Sequence, residues 1–115
     1  MEIMESGNTS LGLNENVEAA LAYAGAFISG IVLLILEKES EFVRFHAMQS
    51  TVTFLGLLAL DLLLGWIPIF GFVFDFVIKI VAIVAWIVGI VKAYQGERFK
   101  FPIAGDLAEH FLPKV

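Results

Sequence analysis

Three long apolar runs, separated by short polar segments, organise the chain. The first, "AALAYAGAFISGIVLLIL" at residues 19 to 36, holds no charged residue in 18 positions. The second runs from about Phe45 to Trp66 with Asp61 as its one formal charge, and the third from about Phe70 to Val91 with Asp75 and Lys79 inside it. A soluble fold spreads its apolar residues at helix or strand period; here they gather into blocks. Eighteen residues make a helix of about 27 Å, close to the ~30 Å hydrocarbon thickness of a bilayer. The pattern therefore predicts an all-α membrane protein, a three-transmembrane-helix bundle forming a single domain over residues 1–115. The helices are expected at 17–36, 42–66 and 68–95, after a flexible N-terminal tail at 1–14 and before an interfacial tail at 96–115.

The boundaries have local causes. Asn14 or Asn16 can cap the first helix, with Glu15 and Glu18 near its positive end, and Ser40 can cap the second. "GWIPIFG" at 65–71 is a turn, with Pro68 suited to the first position of the third helix and Trp66 to the membrane–water boundary. Gly96 suits a C-cap. Arg44 is expected to reach toward headgroups, with Phe42 and Phe45 at the boundary. In the tail, Ile103, Leu107 and Phe111 recur every four residues, predicting a short amphipathic helix after Pro102 on the membrane surface. Asp106 and Glu109 have the spacing of a capping box there.

Composition agrees: 59% of residues are hydrophobic and 17% charged, against about 45–50% and 25% in soluble domains. Charge sets the orientation. Residues 1–37 and the 65–71 turn carry no Lys or Arg, whereas Lys38, Arg44, Lys92, Arg98, Lys100 and Lys114 lie in the first loop and the tail. Three crossings put these six on one face, which the positive-inside rule makes cytoplasmic, with the N-terminus outside. A four-span reading cut at Asp61 and Lys79 would split them and would place Pro68 inside a helix. The acidic start "MEIMESGNTS" lacks the basic beginning of a secretory signal, so the first run is expected to be retained. The formal net charge of −5 gives no basic surface for a nucleic acid.

Polar positions within the apolar runs fall on stripes. His46, Ser50, Thr53 and Asp61 share an arc of the second helix, flanked by Gln49 and interrupted by Leu57. Gly71, Asp75, Lys79, Ala82, Trp86, Gly89 and Ala93 share a face of the third, and Ala22, Ala26 and Gly30 repeat every four residues beside Ser29 on the first. Small and polar stripes suit helix–helix contact in lipid. Asp61 and Asp75 lie seven residues either side of Pro68 on antiparallel helices, and Lys79 follows Asp75 by four, the favourable order for an ion pair. The spacing predicts a cluster of Asp61, Asp75 and Lys79, read first as a neutralised tether and second as part of a passage for ions, protons or polypeptide. His46 reads as an interfacial residue. His46 and His110 have no metal spacing, and no phosphate loop, nucleophile elbow or other catalytic constellation is present, so no cofactor and no enzymatic activity are expected. The expected partners are the lipid bilayer and either further copies of the chain or another membrane protein.

Two stretches, "LEKESEFVRFHAMQS" and "KAYQGERFKFPIAGDLAE", resemble the signatures of small prokaryotic membrane proteins grouped under a domain of unknown function. That group is similar to Tic20, a component of the chloroplast inner-envelope import translocon. The matching positions are Glu37, Lys38, Phe42, Val43, Arg44, His46, Gln49 and Ser50, then Lys92, Ala93, Tyr94, Gly96, Pro102, Gly105, Asp106 and Ala108. The polar stripes suit a structural or self-associating protein, or an oligomeric channel; the resemblance implies a protein of uncharacterised function, with a Tic20-like translocon subunit as the alternative. With both motifs on one face, the tail is expected to fold back on the first loop, with Arg98 or Lys100 near its glutamates.

Overall fold

The computed structural model describes residues 9–115, which form five helices and no strand. These are α1 (Glu15–Ala24), α2 (Ala26–Leu36), α3 (Glu41–Leu64), α4 (Gly71–Tyr94) and α5 (Ala104–Phe111), followed by a 3-10 turn at Leu112–Lys114. Two helices, α3 and α4, are long and apolar enough to cross a bilayer. At 24 residues each they reach about 36 Å. They run antiparallel through the 65–70 turn. Pro68 sits inside that turn and not at a helix start; Ile69 takes a left-handed φ of 70°, and α4 begins at Gly71.

The first apolar run does not cross. It breaks at Gly25, where Ala26 takes a φ of 56°, and becomes a helical hairpin. α1 and α2 have 10 and 11 residues, about 15 Å each, half of what a crossing needs. α1 enters beside the start of α3, where the Ser40 hydroxyl donates to the Glu15 carboxylate. α2 returns to the same end, where the Ser10 N–H donates to the Glu37 carboxylate at 2.9 Å. The expected three-span bundle is thus corrected to two long helices and a re-entrant pair. The Thr9–Asn14 segment, the 37–40 loop and the tail all gather at one end of the bundle, the tail end, away from the 65–70 turn. Of the flexible tail expected at 1–14, residues 1–8 lie outside the described residues. Thr9–Asn14 is held by Ser10, whose hydroxyl also accepts from the Lys38 N–H at 2.8 Å.

Caps follow the sequence where side chains provide them. The Asn14 side chain accepts from the N–H groups of Asn16 and Val17, and Ser40 from that of Val43. Gly96 takes a φ of 81° just after α4. α5 lies along the start of α3, with Ala108 packed against Phe45 and Met48, while Ile103, Leu107 and Phe111 stay exposed. Its N-cap is Ile103 and not Asp106, so the expected capping box is absent; Asp106 instead meets Lys100 at 2.8 Å.

The small residues bring the helices close. A Cβ on Gly30 would stand 2.6 Å from Thr51 Oγ1 and 2.8 Å from the Ala47 carbonyl oxygen; one on Gly89 would stand 2.6 Å from the Tyr23 ring. Gly30→Ala must therefore push α2 off the α3 backbone. It is expected to cost about 1–3 kcal/mol, the usual range for overpacking a filled contact, seen as a lowered thermal midpoint in detergent. An unchanged midpoint would mean that the two helices do not meet this closely.

Candidate functional site

The polar residues at the tail end form a buried node. Tyr23, His46 and Gln49 are fully buried; His46 and Gln49 join α3 to the tail, and Tyr23 of α1 bonds to both. His46 Nε2 lies 2.9 Å from the Glu97 carbonyl oxygen. A carbonyl can only accept, so Nε2 carries the proton and Nδ1 accepts from the Tyr23 hydroxyl at 2.6 Å. The Gln49 amide donates to the Tyr23 hydroxyl and to the Phe99 carbonyl, both at 2.9 Å. Its oxygen accepts from the Phe101 N–H at 2.9 Å. A side chain of α3 thus pairs with the tail backbone much as a neighbouring strand would. His46, expected at the interface, lies instead under Phe42 and Phe45, with edge-on ring contacts at 4.7 and 5.3 Å.

The other motif residues mostly serve the same docking. Arg44 does not reach outward. It donates to the carbonyls of Leu34 at 3.0 Å and Glu37 at 2.6 Å, capping the end of α2, and to the Val115 carbonyl oxygen at 3.0 Å. Lys38 Nζ donates to the Leu34 carbonyl at 3.1 Å. Phe45, expected at the boundary, is buried beneath Arg98, whose guanidinium lies 4.0 Å from the ring centroid. Arg98 meets Glu41 at 2.6 Å, the expected link between loop and tail. Lys100 goes to Asp106 and Glu109 and not to the loop. Lys92 meets Glu97 at 3.5 Å. A Cβ on Gly105 would strike Lys100 Cβ at 2.6 Å, and one on Gly96 would crowd Asn16 at 3.0 Å. Pro102 opens the turn before α5, its carbonyl accepting from the Ala104 N–H at 2.6 Å. Tyr94 is half-exposed.

A second feature is a pair of carboxyl groups. Glu37 is buried and receives N–H groups from Ser10, Glu39 and Ser40. Glu18, also fully buried, receives no N–H group on either oxygen among the described residues, and the nearby Thr9 hydroxyl only partly offsets its burial. Its contact with Glu37 is a hydrogen bond only when one carboxyl keeps its proton. Burial first, then that bond and the Glu37 charge, push Glu18 up to about 8. Burial raises Glu37 too, but the Glu18 proton and the backbone N–H groups outweigh it and hold Glu37 at about 2. Glu18 is therefore the protonated partner.

The expected ion cluster forms near the far turn. Lys79 pairs with Asp75 and stands 4.0 Å from Asp61, with its side chain 64% exposed on the bundle surface. It lies apart from the buried node. The stripes expected to mediate contact pack the molecule internally: Ser50 donates to the Ala26 carbonyl at 2.9 Å, Trp86 Nε1 to that of Ala24 at 3.2 Å, and Ala22, Gly30, Gly89 and Ala93 are buried. Sequence reasoning missed Tyr23 and Glu18 as partners. Their only signal was a lone phenol and an acid beside an otherwise uncharged apolar run.

The family of magnetosome magnetite crystal formation proteins matches residues 14–108, and the chain belongs to it. It is similar to two UPF0132 membrane proteins of Methanocaldococcus jannaschii. One is 50% identical over 102 residues, 89% of this chain and 73% of the relative. The other is 50% identical over 105 residues, 91% and 94% of the two. A UPF0132 membrane protein of Archaeoglobus fulgidus is 50% identical over 103 residues, 90% of this chain and the full length of the relative. No solved structure matches. The chain is a helical membrane protein of an uncharacterised family.

The node predicts which contact holds the tail. Gln49→Leu strands the Phe99 carbonyl and the Phe101 N–H, each worth roughly 1–3 kcal/mol when buried and unpaired. Glu41→Lys breaks only a surface pair, worth about 0–1 kcal/mol. Trypsin cleavage at Arg98 and Lys100 is expected to rise sharply in Gln49→Leu and little in Glu41→Lys; the reverse order would contradict the clamp. The carboxyl pair predicts a pH dependence. The folded state holds the Glu18 proton up to about pH 8, whereas an ordinary glutamate ionises near 4.5. This contribution is complete below about 4.5 and is lost as pH rises toward 8. Glu37 acts oppositely, its contribution present above about 4.5 and lost as pH falls toward 2. Thermal midpoints in detergent should decline from pH 4.5 to 8.5 in the native chain and stay flatter in Glu18→Gln.

Proposed function

We propose that the chain is a non-enzymatic structural membrane protein, a rigid unit that works by holding an ionic surface at one membrane face. The observation that carries this reading is the closed node. The partners of Tyr23, His46 and Gln49 are all supplied by the protein itself, which suits a clamp on the tail better than a ligand or proton site. The surface so held alternates in sign: Glu41, Arg98, Glu109, Lys100 and Asp106 form a chain of ion pairs across the tail. In this reading that face is cytoplasmic, because the six basic residues of the loop and tail gather there, and α5 is an interfacial helix on it. Residues Thr9–Asn14 share that side. The stripes hold each copy together, so copies associate through the outer faces of α3 and α4, where Leu62, Phe76, Ile83 and Ile87 are exposed. A family described by magnetite crystal formation is compatible with a protein acting through a membrane-held surface.

A second reading, a Tic20-like translocon subunit or oligomeric channel, draws on the Asp61–Asp75–Lys79 cluster. Ionisable groups within crossing helices often mark pathways. Reconstitution into liposomes separates the two. The structural reading expects no ion conductance above protein-free liposomes, and no reaction of water-soluble thiol reagents at a cysteine placed at Thr53. It also expects reporters fused before Thr9 and after Val115 to report the cytoplasm alike. Conductance that Lys79→Ala abolishes would overturn it in favour of transport.

A further inference from the structure

α3 and α4 leave between them an apolar groove of about 810 Å³, roofed at the tail end by the Phe99–Ala104 segment and Leu107. Thr53 is the one lining residue with a polar side chain. Gly56 lines the groove with nothing within 4 Å of where a Cβ would stand. The walls run from Val52 to Leu60 on α3 and from Ile80 to Val88 on α4, the middle of both crossing helices. The groove thus opens at the depth of lipid tails. Two observations say what fills it.

The first is charge. Val81, Val84 and Val88 line one face of α4 at helical spacing, and Lys92 continues that face one turn beyond Val88. Its ammonium lies 5.6 Å from the ring centroid of Phe99, itself a lining residue. Its acidic neighbour Glu97 is held only at 3.5 Å. A cation therefore stands beside the roof of an apolar groove, at the end of the bundle where headgroups lie. The second is size. A helix with its side chains is about 10–12 Å across and would have to displace the Phe101–Pro102 roof to run the length of the groove, whereas an alkyl chain is thin enough to lie beneath it.

We propose that the α3–α4 groove is a binding site for one acyl chain of an anionic phospholipid, with its phosphate-bearing headgroup against Lys92. The roof separates this site from ordinary lipid contact. Phe101 and Pro102 close the groove at the tail end, so one chain is held against Gly56 while its neighbours slide over the outer faces. The preference for a negative headgroup comes from Lys92, which gains a phosphate partner closer than Glu97.

The test uses the full chain in nanodiscs of phosphatidylglycerol and phosphatidylcholine, with a photoactivatable diazirine midway along the phosphatidylglycerol chain. Labelled peptides are mapped by mass spectrometry. Labelling of groove residues is expected to exceed that of Ile28 and Ile35 on the outer face of α2 at least fivefold. Gly56→Phe, whose ring projects into open groove, should reduce groove labelling about tenfold without altering helix content. Lys92→Gln should keep the groove accessible but reduce the advantage of phosphatidylglycerol over phosphatidylcholine several-fold. Even labelling of groove and outer face would overturn the proposal. So would cysteine cross-linking between copies at Gly56, because a second copy would then fill the groove. A headgroup preference unchanged in Lys92→Gln would overturn the assigned role of the cation.

Discussion

Lipid offers no hydrogen bonds, so a helix that turns back inside a bilayer must find partners for its freed backbone groups within the protein. The rest of this fold depends on how that requirement is met around Gly25. The Gly25 N–H donates to the Ser29 hydroxyl, which donates in turn to the Ala22 carbonyl, both at 2.9 Å. Trp86 of α4 takes the Ala24 carbonyl and Ser50 of α3 takes that of Ala26. Two of the three side-chain donors come from the crossing helices. The hairpin tip is thus stable only where α3 and α4 stand, and in meeting it those helices are held in register with α1 and α2. The polar stripe on α3 acquires a physical reason: it serves the backbone of a neighbour.

The same rule explains the tail end. Gln49 and His46 lie inside the bundle, where an unpaired amide or imidazole would be costly, and the tail supplies the missing groups from its backbone at Glu97, Phe99 and Phe101. The tail is ordered because the helices need it. Glu18 and Glu37 apply the rule to carboxyl groups: Glu37 is ionised among backbone N–H groups, and Glu18 is neutral because it is buried with no such N–H group among the described residues. At the far turn the solution differs. Lys79 pairs with Asp75 and stands near Asp61 at the surface, within a turn or two of the end of the bundle.

Much of this was legible from residue pattern. The two crossing helices, the turn at Pro68, the caps at Asn14, Ser40 and Gly96 and the pairing of Lys79 with Asp75 follow from apolar run length, propensity and spacing; that Arg98 or Lys100 meets the loop's glutamates follows from placing both motifs on one face. The re-entrant pair did not follow. Run length measures greasiness and is blind to a chain reversal. "AYAGAFISG" reads as a small-residue packing stripe whether the helix continues through Gly25 or turns there. The reversal is decided by Ser29, Ser50 and Trp86 meeting in space, and two of these lie on other helices. Arg44 was misread for the same reason. Near an interface a long cation ordinarily reaches for headgroups, but here the carbonyls at the end of α2 are closer partners. His46 and Phe45 read as interfacial because the helix alone leaves them there; the tail that covers them comes about fifty residues later.

Because α1 and α2 stop about half-way, the molecule is unequal in girth. Four helices stand in the half of the bilayer next to the tail and only two in the half next to the 65–70 turn. Such a body displaces more area from one leaflet than from the other. A membrane crowded with it is biased to bend, with the tail-side leaflet on the convex surface, so the hairpin at Gly25 gives the protein a wedge shape to which bilayer curvature responds.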